Sequence, residues 1–120
     1  MKMLHVTITT AVFEKELEFY ESIVGLTVRR DLRPGRNMVF LSDNAGDTEI
    51  EIIGNTESGD VTAKNLSVGF STKNLEELRR ELMEKGYAAT PVINPNPHTR
   101  FFFVKDPAGM TVQFMQENAE

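Results

Sequence analysis

The chain has no cysteine, which removes a disulfide framework, a thiolate nucleophile and a cysteine metal site at once. It also lacks any excess of positive charge. Thirteen Lys and Arg stand against eighteen Asp and Glu, a formal charge of −5 with a pI near 5.1. Nucleic-acid binding needs a basic stripe, so no nucleic-acid partner is expected, whereas a cationic small molecule is allowed. No apolar run approaches membrane-spanning length and no signal-peptide h-region opens the chain, so the expectation is a cytoplasmic protein with no membrane partner.

What is there is ordinary for a soluble globular protein: 40% hydrophobic and 26% charged residues in a chain of 120. The length fits one domain, residues 1–120, or two half-sized units sharing a core, because a unit of about sixty residues is marginal alone. Leu4 to Thr10 alternates Leu4, Val6 and Ile8 with His5, Thr7 and Thr9, the pattern of a strand with one packed face and one open face. Phe13, Leu17, Tyr20 and Val24 then recur at helical spacing. Glu14, Glu16, Glu18 and Glu21 between them predict an acidic outer side, and Gly25 a stop. Leu26–Leu32, Asn37–Leu41 and Thr48–Ile53 read as three strands. A polar linker, 54–65, follows.

The order then repeats. Leu66–Ser71 reads as a strand, and Asn74 as the cap of a helix with Leu75, Leu78, Leu82 and Met83 on its apolar stripe and Gly86 after it. A weaker strand is expected around Tyr87–Thr90, then a rigid loop at Pro95-Asn96-Pro97-His98. Arg100–Lys105 and Met110–Gln116 form a closing hairpin around the turn Asp106-Pro107-Ala108-Gly109. Glu51 and Gln113 lie 62 positions apart, as do His5 and Ser67, and the same shift sets Phe40 on Phe102, Ile50 on Val112 and Ile52 on Phe114. The chain therefore reads as one βαβββ module written twice, residues 4–53 and 66–116. The expected class is α+β, a curved mixed sheet of eight strands. Two helices cannot cover both faces of such a sheet, so one face should be an open cup lined by His5, Thr7, Glu49, Glu51, Ser67, Gly69, Thr111 and Gln113. Free strand edges and exposed Met and Phe side chains suggest a homodimer.

His, Glu and Gln side chains can each offer a lone pair to a divalent ion, and three such ligands with open positions suit a catalytic metal. His5, Glu51 and Gln113 are the candidate set. Glu49, two residues from Glu51 on the same strand face, is either a solvated edge residue or a second carboxylate of the cup. Ser67 is a weak ligand or a small residue that leaves space. His98 and Arg100, beside the proline-rich loop, are either hairpin polarity or contacts to a substrate anion.

The His5 strand, Phe19-Tyr20-Glu21-Ser22-Ile23-Val24-Gly25-Leu26, Ile50-Glu51-Ile52-Ile53 and Val104-Lys105-Asp106-Pro107-Ala108-Gly109-Met110-Thr111-Val112-Gln113-Phe114 together resemble the glyoxalase, bleomycin-resistance and dioxygenase family, the vicinal oxygen chelate superfamily. The resemblance covers almost the whole chain. It implies two βαβββ modules with metal ligands on the first and fourth strands of each. His5 and Glu51 match the first module's ligands. Ser67 stands where a second His or equivalent ligand is usual, and Gln113 where a Glu is usual. An amide can hold a metal but cannot accept a proton at useful pH, so a base role passes to Glu49. A dioxygenase-type triad would lack its second His unless His98 supplies it.

Three functions follow from the resemblance. One is a metal-dependent small-molecule lyase or isomerase of the lactoylglutathione-lyase-like kind, using zinc, nickel, manganese or iron. A second is a non-catalytic binding protein of the bleomycin-resistance kind, with no cofactor. The third is a resistance enzyme that meets an oxyanion drug through Arg100 and Lys105.

Overall fold

The structure, a computed structural model, describes residues 1–117. Its first strand, β1 (His5–Thr10), leads into α1 (Phe13–Glu18), a π-helical turn (Phe19–Ile23), β2 (Thr27–Asp31), β3 (Met38–Ser42) and β4 (Glu49–Gly54). After the linker come β5 (Val68–Thr72), α2 (Leu75–Glu84), β6 (Ile93–Asn96), β7 (Thr99–Lys105) and β8 (Thr111–Gln116). The chain divides into two compact units, Met1–Thr62 and Ala63–Glu120, with the boundary inside the expected linker. The eight strands come as two four-stranded mixed sheets, ordered β1-β4-β3-β2 and β5-β8-β7-β6. In each, the first and fourth strands pair in parallel and the remaining neighbours antiparallel.

Register decides which side chains share a face. In the first unit Val6 pairs with Ile50, Ile8 with Ile52, Val39 with Ile52 and Leu41 with Ile50. That apolar face, together with Phe13, Leu17 and Tyr20, supplies most of the buried core. His5 pairs with Glu49, Thr7 with Glu51, and Phe40 with Glu51, so these residues occupy the opposite face. The second unit repeats the division. Val68, Phe70, Phe102, Val104, Val112 and Phe114 make one face, and Gly69, Phe103, Thr111 and Gln113 the other.

The repeat is therefore real at the level of register, with one correction. Phe40 pairs with Glu51 and Phe103 pairs with Gln113, so the counterpart of Phe40 is Phe103 and not Phe102. Six residues connect β3 to β4, whereas five connect β7 to β8, which moves the strand by one place. The shorter turn is held by Asp106. Its buried carboxylate accepts hydrogen bonds from the backbone N–H of Ala108 at 3.0 Å and of Met110 at 2.9 Å.

Other departures have equally local causes. Tyr87–Thr90 is not a strand; the second strand of the second unit is Ile93–Asn96 instead. Pro91 interrupts pairing after Thr90, and Pro95 is accommodated because β6 lies at the sheet edge, where a missing N–H goes unused. Asn74 occupies the N-cap of α2, but its side chain makes no capping bond. Gln116 takes that role from β8, accepting from the Leu75 N–H at 3.1 Å and donating to the Lys73 carbonyl at 2.6 Å. Glu16 is fully buried rather than part of an acidic outer side. It lies three residues after Phe13 and four before Tyr20, within the same helical stripe.

Two of the four outer strands, β2 and β6, are blunted. Arg29 is the extra residue of a bulge in β2, since Val28 pairs with Leu41 and Arg30 already with Phe40. Pro95 interrupts the donors of β6. The edge liability behind the homodimer expectation is thus smaller at these two strands than the sequence suggests.

Candidate functional site

Hydrogen bonding along β1 and β4 brings His5 and Glu51 together diagonally across one face of the first unit. His5 Nε2 lies 3.5 Å from Glu51 Oε1, with the imidazole partly exposed and the carboxylate largely buried. The Thr7 hydroxyl donates to the same Glu51 oxygen at 2.5 Å, which fixes the carboxylate's orientation. His5 also meets the ring of Phe40 edge-on, with centroids 5.8 Å apart. Two atoms bound to one ion at about 2.1 Å each, with tetrahedral angles, stand about 3.4 Å from one another. The His5–Glu51 separation fits that span. Among the described residues no group of three His, Cys, Asp or Glu side chains converges, so a third donor would have to be an amide, a hydroxyl or water.

Glu49 shares the face, but Arg30 Nη2 donates to its Oε1 at 3.1 Å. The Arg30 guanidinium also stacks over the Phe40 ring at 3.8 Å. Strict alternation along β2 would put Val28 and Arg30 on the same side; the bulge at Arg29 turns Arg30 to the side of His5 and Glu51. Arg29 itself is tied to the Ser42 hydroxyl at 3.2 Å and the Asp43 carbonyl at 2.6 Å. Arg30 is the site residue that sequence reasoning missed, and two adjacent arginines in one strand were its only signal.

In the second unit Gln113 occupies the position that Glu51 has in the first. Its strand neighbours are Gly69 and Phe103, as Thr7 and Phe40 are for Glu51. A Cβ at Gly69 would lie 3.5 Å from the Gln113 amide oxygen, so that oxygen sits over bare backbone where the first unit has a hydroxyl. Ser67 is exposed and precedes β5 by one residue, outside the paired strand. Arg100 alternates with Phe102 and Val104 and pairs with Glu76 of α2. It therefore faces the helix, on the other side of β7 from Phe103. His98 sits at the exposed tip of the β6–β7 hairpin, its backbone N–H donating to Asn96 Oδ1 at 2.9 Å. Lys105, in contrast, shares the Phe103 side of the strand and lines a cavity there.

Two βαβββ units, with Glu51 and Gln113 at matched positions of their fourth strands, define the class of fold. The family model described as the Glyoxalase/Bleomycin resistance protein/Dioxygenase superfamily matches residues 2–114, and the chain belongs to that superfamily. It is 26% identical to a lactoylglutathione lyase of Neisseria meningitidis serogroup A, across 99% of this chain and 93% of that protein. Among solved structures it resembles the trypanothione-dependent glyoxalase I of Leishmania major, with TM-score 0.74, 21% identity, and coverage of 98% and 87%. It also resembles TnmS3, an antibiotic-binding protein from Streptomyces sp. CB03234, with TM-score 0.72, 19% identity, and coverage of 98% and 97%. At these identities the two structures share the fold. No helix among the described residues is long and apolar enough to cross a membrane.

Proposed function

We propose that the protein is a metal-dependent small-molecule lyase or isomerase of the glyoxalase superfamily, with His5 and Glu51 holding a divalent ion. The observation that carries this is the 3.5 Å approach of His5 Nε2 to Glu51 Oε1, with Thr7 fixing the oxygen. Gln113, expected as a third ligand, holds the place of Glu51 in its own sheet. A bound ion would polarise a substrate oxygen as a Lewis acid. Glu49 would take a substrate proton, and Arg30 must first leave its Oε1 oxygen. The guanidinium, stacked on Phe40, can remain over the ring while it releases the carboxylate.

Calorimetric titration of tag-free protein with Ni²⁺ or Zn²⁺ tests the reading. One ion per chain is expected, with binding abolished in His5→Ala and in Glu51→Ala. Weaker binding by about tenfold is expected in Thr7→Val, which removes the hydroxyl that orients the carboxylate. Wild-type affinity in both alanine variants would refute it.

The second reading is a non-catalytic small-molecule binding protein. The apolar cavity beside Phe103 favours it. Titration without any saturable metal binding would make it the better one.

A further inference from the structure

We propose that the cavity beside Phe103 in the second unit binds a small organic anion with a flat apolar body, whose charged group is met by Lys105. The inference rests on the small-molecule reading above and narrows it to a class of ligand. The cavity is about 320 Å³ and is lined by Ala88, Thr90, Phe103, Val104, Lys105 and Thr111. That volume is at the small end of ligand pockets and suits a compact molecule.

Its polar groups narrow the choice. Thr90 is already engaged: its hydroxyl donates to the Pro91 carbonyl at 3.0 Å and accepts from the Phe103 N–H at 2.9 Å. The groups left for a ligand are the Thr111 hydroxyl and the Lys105 ammonium. Lys105 is exposed, and its ammonium has no hydrogen bond or ion pair among the described residues. The carboxylate of its neighbour Asp106 is buried in the β7–β8 turn, bonded to the N–H groups of Ala108 and Met110. An unmatched cation in a chain of net charge −5, at the rim of an apolar hollow, is complementary to an anion.

The spacing sets the ligand's shape. Phe103 and Lys105 are two residues apart on one strand, so their side chains leave the same face about 7 Å apart. Phe101 meets Phe103 edge-on, with centroids at 5.6 Å and planes at 79°, and braces that ring. An aromatic ring packed on Phe103 with a carboxylate or similar group one bond away would reach Lys105. The larger hollow against α2 offers no such unmet group. There Arg79 is bonded to the Thr90 carbonyl at 2.7 Å and Arg80 lies 3.9 Å from Glu84.

Fluorine NMR of 4-fluorobenzoate and neutral 4-fluorobenzamide, titrated into the full chain in chelator, tests this. Saturable benzoate binding is expected, about tenfold weaker in Lys105→Met, retained in Lys105→Arg, with benzamide indifferent to either change. Equal benzoate binding in wild type and Lys105→Met would overturn the proposal, as would an equal loss in Lys105→Arg and Lys105→Met, or no saturable benzoate binding by wild type. The chelator separates the two claims, because a failed metal titration leaves this result standing and a failure here leaves the metal titration standing.

Discussion

Asp31 is the residue whose titration the structure defines best. Arg33 donates to it from Nε at 2.9 Å, from Nη2 at 2.7 Å and from its backbone N–H at 3.0 Å. The side-chain bond is the larger cause and the backbone bond the second, and together they pull the carboxyl from its ordinary 3.8 down to about 2. Because the folded value lies below the unfolded one, the contact's stabilisation is complete above pH 3.8 and is lost as pH falls toward 2. The carboxylate is exposed, so salt screens the effect. Carbon NMR should place the Asp31 midpoint at about 2 and return it toward 3.8 in Arg33→Ala. An unchanged midpoint in that variant would mean that another group holds the carboxylate.

At the scale of elements, α2 is capped from outside its own sequence. Gln116→Ala should free the Leu75 N–H and fray the first turn of α2, at a cost of about 1 kcal/mol, the usual worth of an N-cap. Urea unfolding would give that difference, and hydrogen exchange at Leu75 should quicken. Asn74→Ala, which removes an amide that makes no capping bond, should leave both nearly unchanged; a larger loss there than in Gln116→Ala would contradict the assignment. The contrast shows what was legible and what was not. Helix position, strand alternation and the placement of His5 beside Glu51 follow from periodicities of 3.6 and 2, which a sequence displays directly. The Gln116 cap and the Arg30–Glu49 pair depend on register between strands and helices far apart in the chain, and a bulge at Arg29 reverses the face that alternation assigns. Glu16 was legible in principle, since it lies at core spacing from Phe13 and Tyr20, but its charge argued for solvent.

For the molecule as a whole, duplication is the organising fact. Each unit sets an acidic or amide side chain between a phenylalanine and a small residue on the open face of its sheet: Glu51 between Phe40 and Thr7, Gln113 between Phe103 and Gly69. The copies have diverged in what they offer. The first presents an imidazole, carboxylates and an arginine, the groups proposed to serve a metal ion; the second presents an amide, two phenylalanines and a lysine, the groups proposed to meet an organic anion. The central claim is that the first copy holds the ion. Crystals soaked in zinc, with diffraction data collected across the zinc absorption edge, test it most directly. The account predicts an anomalous peak about 2.1 Å from both His5 Nε2 and a Glu51 carboxylate oxygen. Ordered zinc elsewhere on the chain with no density between those two side chains would contradict it.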